Sequence, residues 1–169
     1  LFRGVTVGTI RREQPYYFIL LGTFVERADN TARILSVKEQ PDAVTEGPDS
    51  ITDFYRQSAL LRSVSAFEAY RDTYRDAVDR KRVAELLLLD PQMPRSLRFC
   101  FNQVVRLLGR LPTENARPAR QLAATMDAQF EFGDIDEILE EGLPDYLERF
   151  VNSNFELGEL IREAYLELE

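Results

Sequence analysis

The 169-residue chain is 44% hydrophobic, enough to bury a sizeable core within one domain. It contains no histidine, which excludes Ser-His and Cys-His nucleophile pairs, His-ligated zinc and the Glu-x-x-His pattern of di-iron bundles; its single cysteine, Cys100, excludes an intramolecular disulfide. The net charge of −8 is uneven, with 13 acidic and 2 basic residues in positions 131–169 against 16 acidic and 19 basic elsewhere, and no basic stripe with interleaved aromatics points to nucleic acid.

Helical periodicity runs through the whole chain. Pro15 stands where a helix can start. From there Phe18, Leu21, Val25, Ala28, Ala32 and Leu35 recur at alternating spacings of 3 and 4, a seam facing a partner. This helix should fade near Gln40-Pro41, and a polar loop with Gly47 and Pro48 follows. Ser50 to Asp53 reads as a cap for a second helix reaching about Tyr70, with Leu60, Leu61, Val64 and Phe67 inward. Residues 71–79 either continue it or form a short piece. Arg82 to Leu89 is a short leucine-rich helix, broken by Asp90-Pro91-Gln92-Met93-Pro94. Pro94 opens the next helix, to about Gly109, with Leu97, Phe101, Val104, Val105 and Leu108 inward. Glu114 to Phe130, Asp134 to Glu141 and Pro144 to Leu168 complete the set. No strand pattern or repeat occurs. The expectation is an all-α antiparallel bundle of six or seven helices, a single domain over 1–169. The apolar run from Tyr16 to Val25 is about half of the roughly 20 residues a membrane span needs, and one cysteine suits a reducing compartment, so a soluble cytoplasmic protein without a membrane partner is expected.

The chemistry concentrates on the first helix. Glu26 and Arg27 straddle its seam, and Asp29 and Arg33 stand at i, i+4, where they can pair. Gly22, one turn before Glu26, permits close approach of a backbone or a ligand. Charges on a buried helix are costly unless paired, so these residues form either an internal ion-pair network or a polar site. Partners would come from Arg62, Glu68 and Arg71 on the second helix and from Arg95 and Arg98 beside Pro94. A helix start flanked by arginines favours an anion, which a carboxylate of the same protein satisfies as well as a phosphate does. Cys100, between Phe99 and Phe101, reads as an inert core residue. The acidic C-terminal helix is either a solvated face or a docking surface for a basic partner.

The stretch from Leu21 to Leu35, LGTFVERADNTARIL, resembles the signature of the bacterial alpha-E family, α-helical domains named for a Glu-Arg motif. Gly8 to Glu13, Leu61 to Arg71, Leu87 to Asp90 and Pro94-Arg95-Ser96 resemble it too, so the likeness runs from about Gly4 to the end. The chain departs from the family at Gln14-Pro15-Tyr16, where Gly-Tyr or Gly-Trp is usual, and at Glu39-Gln40, where Tyr-His is frequent. Family members look about twice as long, so the chain is expected to be a C-terminal half, completed by its missing N-terminal half or by self-association. The resemblance implies a bacterial protein encoded or fused with ATP-grasp-type ligases and transglutaminase-like proteins. It thus implies a part in peptide or amide-bond synthesis or modification. No cofactor is expected.

Three functional readings follow. The first is an accessory binding module for such a ligase, in which the arginines clamp a carboxylate and the glutamates hold an ammonium. The second is an enzyme with Glu26 and Glu68 as acid-base carboxylates, with or without a divalent cation, and it needs both side chains in one cavity. The third is structural: Glu26 and Arg27 only clamp helices, and Glu26→Gln then destabilises by roughly 3–5 kcal/mol.

Overall fold

The computed structural model of the chain describes residues 11–39 and 50–166. Among the described residues lie eight α-helices: α1 (Gln14–Glu39), α2 (Ser50–Ser63), α3 (Phe67–Tyr74), α4 (Arg80–Leu89), α5 (Leu97–Gly109), α6 (Arg117–Glu131), α7 (Ile135–Glu141) and α8 (Leu143–Tyr165). A single 3-10 turn, Glu114–Ala116, leads into α6. The chain is all-α, with one helix more than the upper expectation. The loop expected over 41–49 and the last residues of the C-terminal helix lie outside the described residues.

The additional helix comes from a break that the periodicity conceals. Ser65 takes the left-handed conformation, φ 56°. The Ala66 N–H then donates to the Leu61 carbonyl at 2.7 Å and the Ser65 N–H to the Arg62 carbonyl at 3.1 Å. That pair of bonds closes a helix C-terminus in the Schellman manner, with Ser65 where glycine is usual. The apolar rhythm Leu60, Leu61, Val64, Phe67 continues across the break, so a pattern argument runs straight through it. Because a side chain is strained at positive φ, Ser65→Gly is expected to raise stability by about 0.5–1 kcal/mol, read as a higher urea midpoint at unchanged slope.

Elsewhere local signals set the ends. Asp79 accepts from the Arg82 N–H and starts α4 two residues before the expected Arg82. Ser96 caps α5 by accepting from the Phe99 N–H, so Pro94 does not open that helix; it belongs to the preceding turn. Asp134 caps α7, and prolines stand in the first turns of α6 and α8.

α1 packs against α5 and α8 and is the axis of the bundle. Its expected seam is the face it buries: Leu21, Ala28, Ala32 and Leu35 are buried, and Phe18 and Val25 are packed against the core. On the other side Phe101 of α5, Phe130 of α6 and Phe150 of α8 meet with ring centroids 5.5–5.7 Å apart, tying three helices through one aromatic cluster. α8 is fastened to the rest by two long-range bonds. Asn154 Nδ2 donates to the Val25 carbonyl at 3.3 Å, and the Tyr165 hydroxyl donates to the Leu111 carbonyl at 2.6 Å. No helix among the described residues is long and apolar enough to cross a membrane.

Candidate functional site

The Glu-Arg pair divides between the two sides of α1. Arg27 is half-buried and reaches across to the α4–α5 connection, where its Nη1 donates to the Pro94 carbonyl at 3.0 Å. Its guanidinium also lies 5.0 Å from the centroid of the Phe24 ring, and Phe24 in turn packs near Phe99 of α5. Glu26 points the other way. It is exposed, with no hydrogen bond or ion pair among the described residues. Of the two, Arg27 alone clamps helices. Glu26→Gln is accordingly not expected to incur the cost of breaking a buried pair.

The connection that Arg27 grips is itself rigid. Asp90 Oδ1 accepts from the Gln92 and Met93 N–H groups at 2.7 and 2.8 Å. The Ser96 hydroxyl donates to the Asp90 carbonyl while accepting from the Phe99 N–H. Arg98 Nη1 donates to the Leu89 carbonyl at 3.3 Å from the other side. Two arginines thus satisfy carbonyls of one turn, and the start of α5 is capped by its own serine. The anion-binding capacity expected at Pro94, Arg95 and Arg98 is spent largely on internal groups. A sequence signal existed for this: Asp90 and Ser96 flank a Pro-containing turn, both residue types that bond nearby backbone.

Arg95 is half-buried, and its charge and that of Arg27 act on Cys100. Burial outweighs both and pushes the Cys100 thiol up to about 12. Its Sγ lies 3.7 Å from the same Pro94 carbonyl. A thiol in that state carries no thiolate near neutral pH and is no nucleophile.

The remaining charged residues fall into separate places. Asp29 and Arg33 pair along α1 at 2.7 Å, with Arg33 60% exposed, so the bond is worth little to stability. That pair also raises the Arg33 pKa through the hydrogen bond to Asp29. Arg62 is exposed at the end of α2, its guanidinium 4.7 Å from the Phe67 ring centroid. Glu68 and Arg71 line an open cleft on α3 formed by residues 68–76 alone, with no contribution from α1. Arg98 faces Asp127 of α6, whose carboxyl is pushed up chiefly by burial and next by Glu131, with Arg98 lowering it. The structure therefore brings Arg27, Arg95 and the start of α5 together at Pro94. It leaves Glu68, Arg71 and Arg62 with α2 and α3. Among the described residues no group of three or more His, Cys, Asp or Glu side chains is placed to hold a metal ion.

The outward stripe of α1 is Ile19, Gly22, Glu26, Asn30 and Arg33, all exposed. A Cβ built on Gly22 meets nothing within 4 Å, so the helix surface one turn before Glu26 is bare. One family model matches this chain, over residues 1–166, and it is described as a predicted alpha-helical domain with a conserved ER motif. The chain belongs to the alpha-E family. No curated protein and no solved structure matches it. The helical description fits the architecture above, and in this alpha-E domain the Glu-Arg pair Glu26-Arg27 is split between the interior and the surface. Arg27 joins α1 to the α4–α5 turn, and Glu26 is presented to whatever lies outside.

Proposed function

We propose that this alpha-E domain is a helical binding module that works with an ATP-grasp-type ligase in peptide or amide-bond synthesis or modification. The observation that supports this reading is the split of the Glu-Arg pair. An arginine fixed by a carbonyl and an aromatic ring holds α1 in one orientation, and the carboxylate one residue earlier stands on an open surface with no partner among the described residues. Exposed Glu26, with the bare surface of Gly22 before it and the Asp29-Arg33 pair after it, is suited to receive an ammonium or guanidinium group. A surface site of this kind recognises; it does not enclose a reaction. The family resemblance supplies the ligase, and a transglutaminase-like protein is the other partner it suggests.

The test is binding of the intact protein to an ATP-grasp-type ligase from the same organism, with ligase turnover measured in the same samples. Wild-type protein is expected to bind and to raise turnover. Glu26→Gln is expected to weaken binding about tenfold, the worth of one charge-assisted contact, and to change stability by less than about 0.5 kcal/mol. Unchanged turnover with wild-type protein overturns the ligase assignment. A Glu26→Gln protein that loses roughly 3 kcal/mol or more assigns Glu26 to the helix clamp instead.

A further inference from the structure

A second surface of the molecule is charged in the opposite sense. Where the first turn of α1 meets the last turn of α5 there is a cleft of about 540 Å³. Three arginines line it: Arg12, just before α1, and Arg106 and Arg110, in and just after the last turn of α5. Tyr16, Tyr17 and Gln103 line it as well, Leu20 and Leu107 supply apolar surface, and among the described residues no acidic side chain does so. In a chain with 29 acidic residues and a net charge of −8, such a grouping is uncompensated. Arg12 and Arg106 have no hydrogen-bond or ion-pair partner among the described residues. The neighbouring Glu13 pairs with Arg11 instead, at 3.1 Å.

The third arginine is pre-set. Arg110 Nη1 donates to the Tyr17 hydroxyl at 3.2 Å, and its guanidinium stands 5.5 Å from the Tyr17 ring centroid. The Tyr16 and Tyr17 rings meet edge to face at 5.6 Å. A guanidinium held beside a tyrosine in this way keeps its outer N–H groups free for a ligand and loses little freedom when one binds. The helix ends do not neutralise the cluster. The C-terminus of α5 contributes roughly half a negative charge and the N-terminus of α1 roughly half a positive one, so the three positive charges remain.

The geometry points to a binding site for a phosphate-bearing small molecule in this cleft, the phosphate oxygens held by Arg12, Arg106 and Arg110 and the apolar part of the ligand lying against Tyr16 and Leu20. Phosphate is favoured over a lone carboxylate by charge: a dianion with three acceptor oxygens compensates two of the three positive charges, and a carboxylate, with two oxygens, compensates one. Gln103 adds a neutral amide that can both donate and accept. The site stands apart from Glu26 and does not depend on the ligase reading.

Calorimetric titration of the intact protein tests it, with pyrophosphate, adenosine 5′-monophosphate and acetate as probes at fixed ionic strength. Pyrophosphate or the nucleotide is expected to bind more tightly than acetate, a lone carboxylate. The nucleotide ahead of pyrophosphate identifies a phosphate ester as the ligand, and the reverse order identifies a free phosphoanion. Arg106→Glu is expected to weaken phosphate binding at least tenfold with an unchanged melting temperature, because its side chain is exposed and has no partner among the described residues. Arg117→Glu, exposed on α6 and outside the cleft, is expected to bind as wild type does. No binding of either phosphate probe, acetate binding as tightly, or an Arg106→Glu protein that binds normally overturns the proposal.

Discussion

Phe101→Ala is expected to be the most damaging of the substitutions considered, at a cost of roughly 3–5 kcal/mol. Phe101 is fully buried on α5 and touches Phe130 and Phe150, whose centroids are both 5.5 Å away. The loss has two parts. Transfer of the ring to water removes burial energy, and the void left behind cannot close, because α6 and α8 are held apart by their own contacts across the 5.7 Å Phe130–Phe150 pair. Domains of this size hold about 5–15 kcal/mol in all, so the variant should still fold while melting on the order of 10 °C lower. Phe101→Leu keeps most of the volume and should lose less than half as much. A melting temperature within about 2 °C of wild type for Phe101→Ala would show that the three helices are held together elsewhere.

Arg27→Ala is expected to follow, at about 2–3 kcal/mol. A hydrogen bond from a charged donor to a carbonyl is worth roughly 1.5–3 kcal/mol, and a guanidinium over an aromatic ring roughly 0.5–1 kcal/mol more. The Pro94 carbonyl then keeps only the weak Cys100 contact at 3.7 Å. Arg27→Lys preserves the charge but not the planar group over Phe24, so it should recover part of the loss and not all of it. A double-mutant cycle with Phe24→Leu isolates the ring contribution, since the two side chains touch and cannot behave additively. The contrast with Glu26→Gln is the informative one. Adjacent residues of a single motif should differ in their effect on stability by about 2 kcal/mol, since one is used inside the molecule and the other is not.

Much of the architecture was legible from residues that act locally. Pro15 and Pro144 stand in the first turns of their helices, and the helix expected from Asp134 is capped by it, because these residues shape only their own turn of backbone. The seam of α1 was legible because a buried stripe must repeat with the helical period. Several boundaries were not, the starts of α4 and α6 among them. Pro94 resembles a helix opener, but the Ser96 hydroxyl offers the Phe99 N–H a partner, and α5 waits for it. At Ser65 the chain reverses without a glycine, a choice that repays its strain only because Ala66 and Leu61 are both buried where the turn places them.

The charged residues were read less well than the helices. Placing Glu26 and Arg27 on the flanks of the seam was sound, yet nothing in the spacing told which of them would turn inward. That was decided by the Pro94 carbonyl, 67 positions away in sequence. Arg98 and Glu68 looked like partners for α1 because charge complementarity can be imagined between any two segments. The packing of α5 on α4 and α6 gives Arg98 to Leu89 and Asp127, and the break at Ser65 starts a separate helix for Glu68. The arginine cleft shows the same rule in reverse. Arg110 and Tyr17 are 93 positions apart, and each alone is an ordinary surface residue.

The sequence by itself thus determined the all-α class, the course of most helices, the buried face of α1 and membership of the alpha-E family, because periodicity, caps and prolines act within a turn or two of backbone. Tertiary structure alone decided which charge of the Glu-Arg pair is spent on the fold, which turns are locked, and that three arginines converge on one cleft. Those outcomes depend on distances between segments far apart in the chain, and only the packing of whole helices sets them.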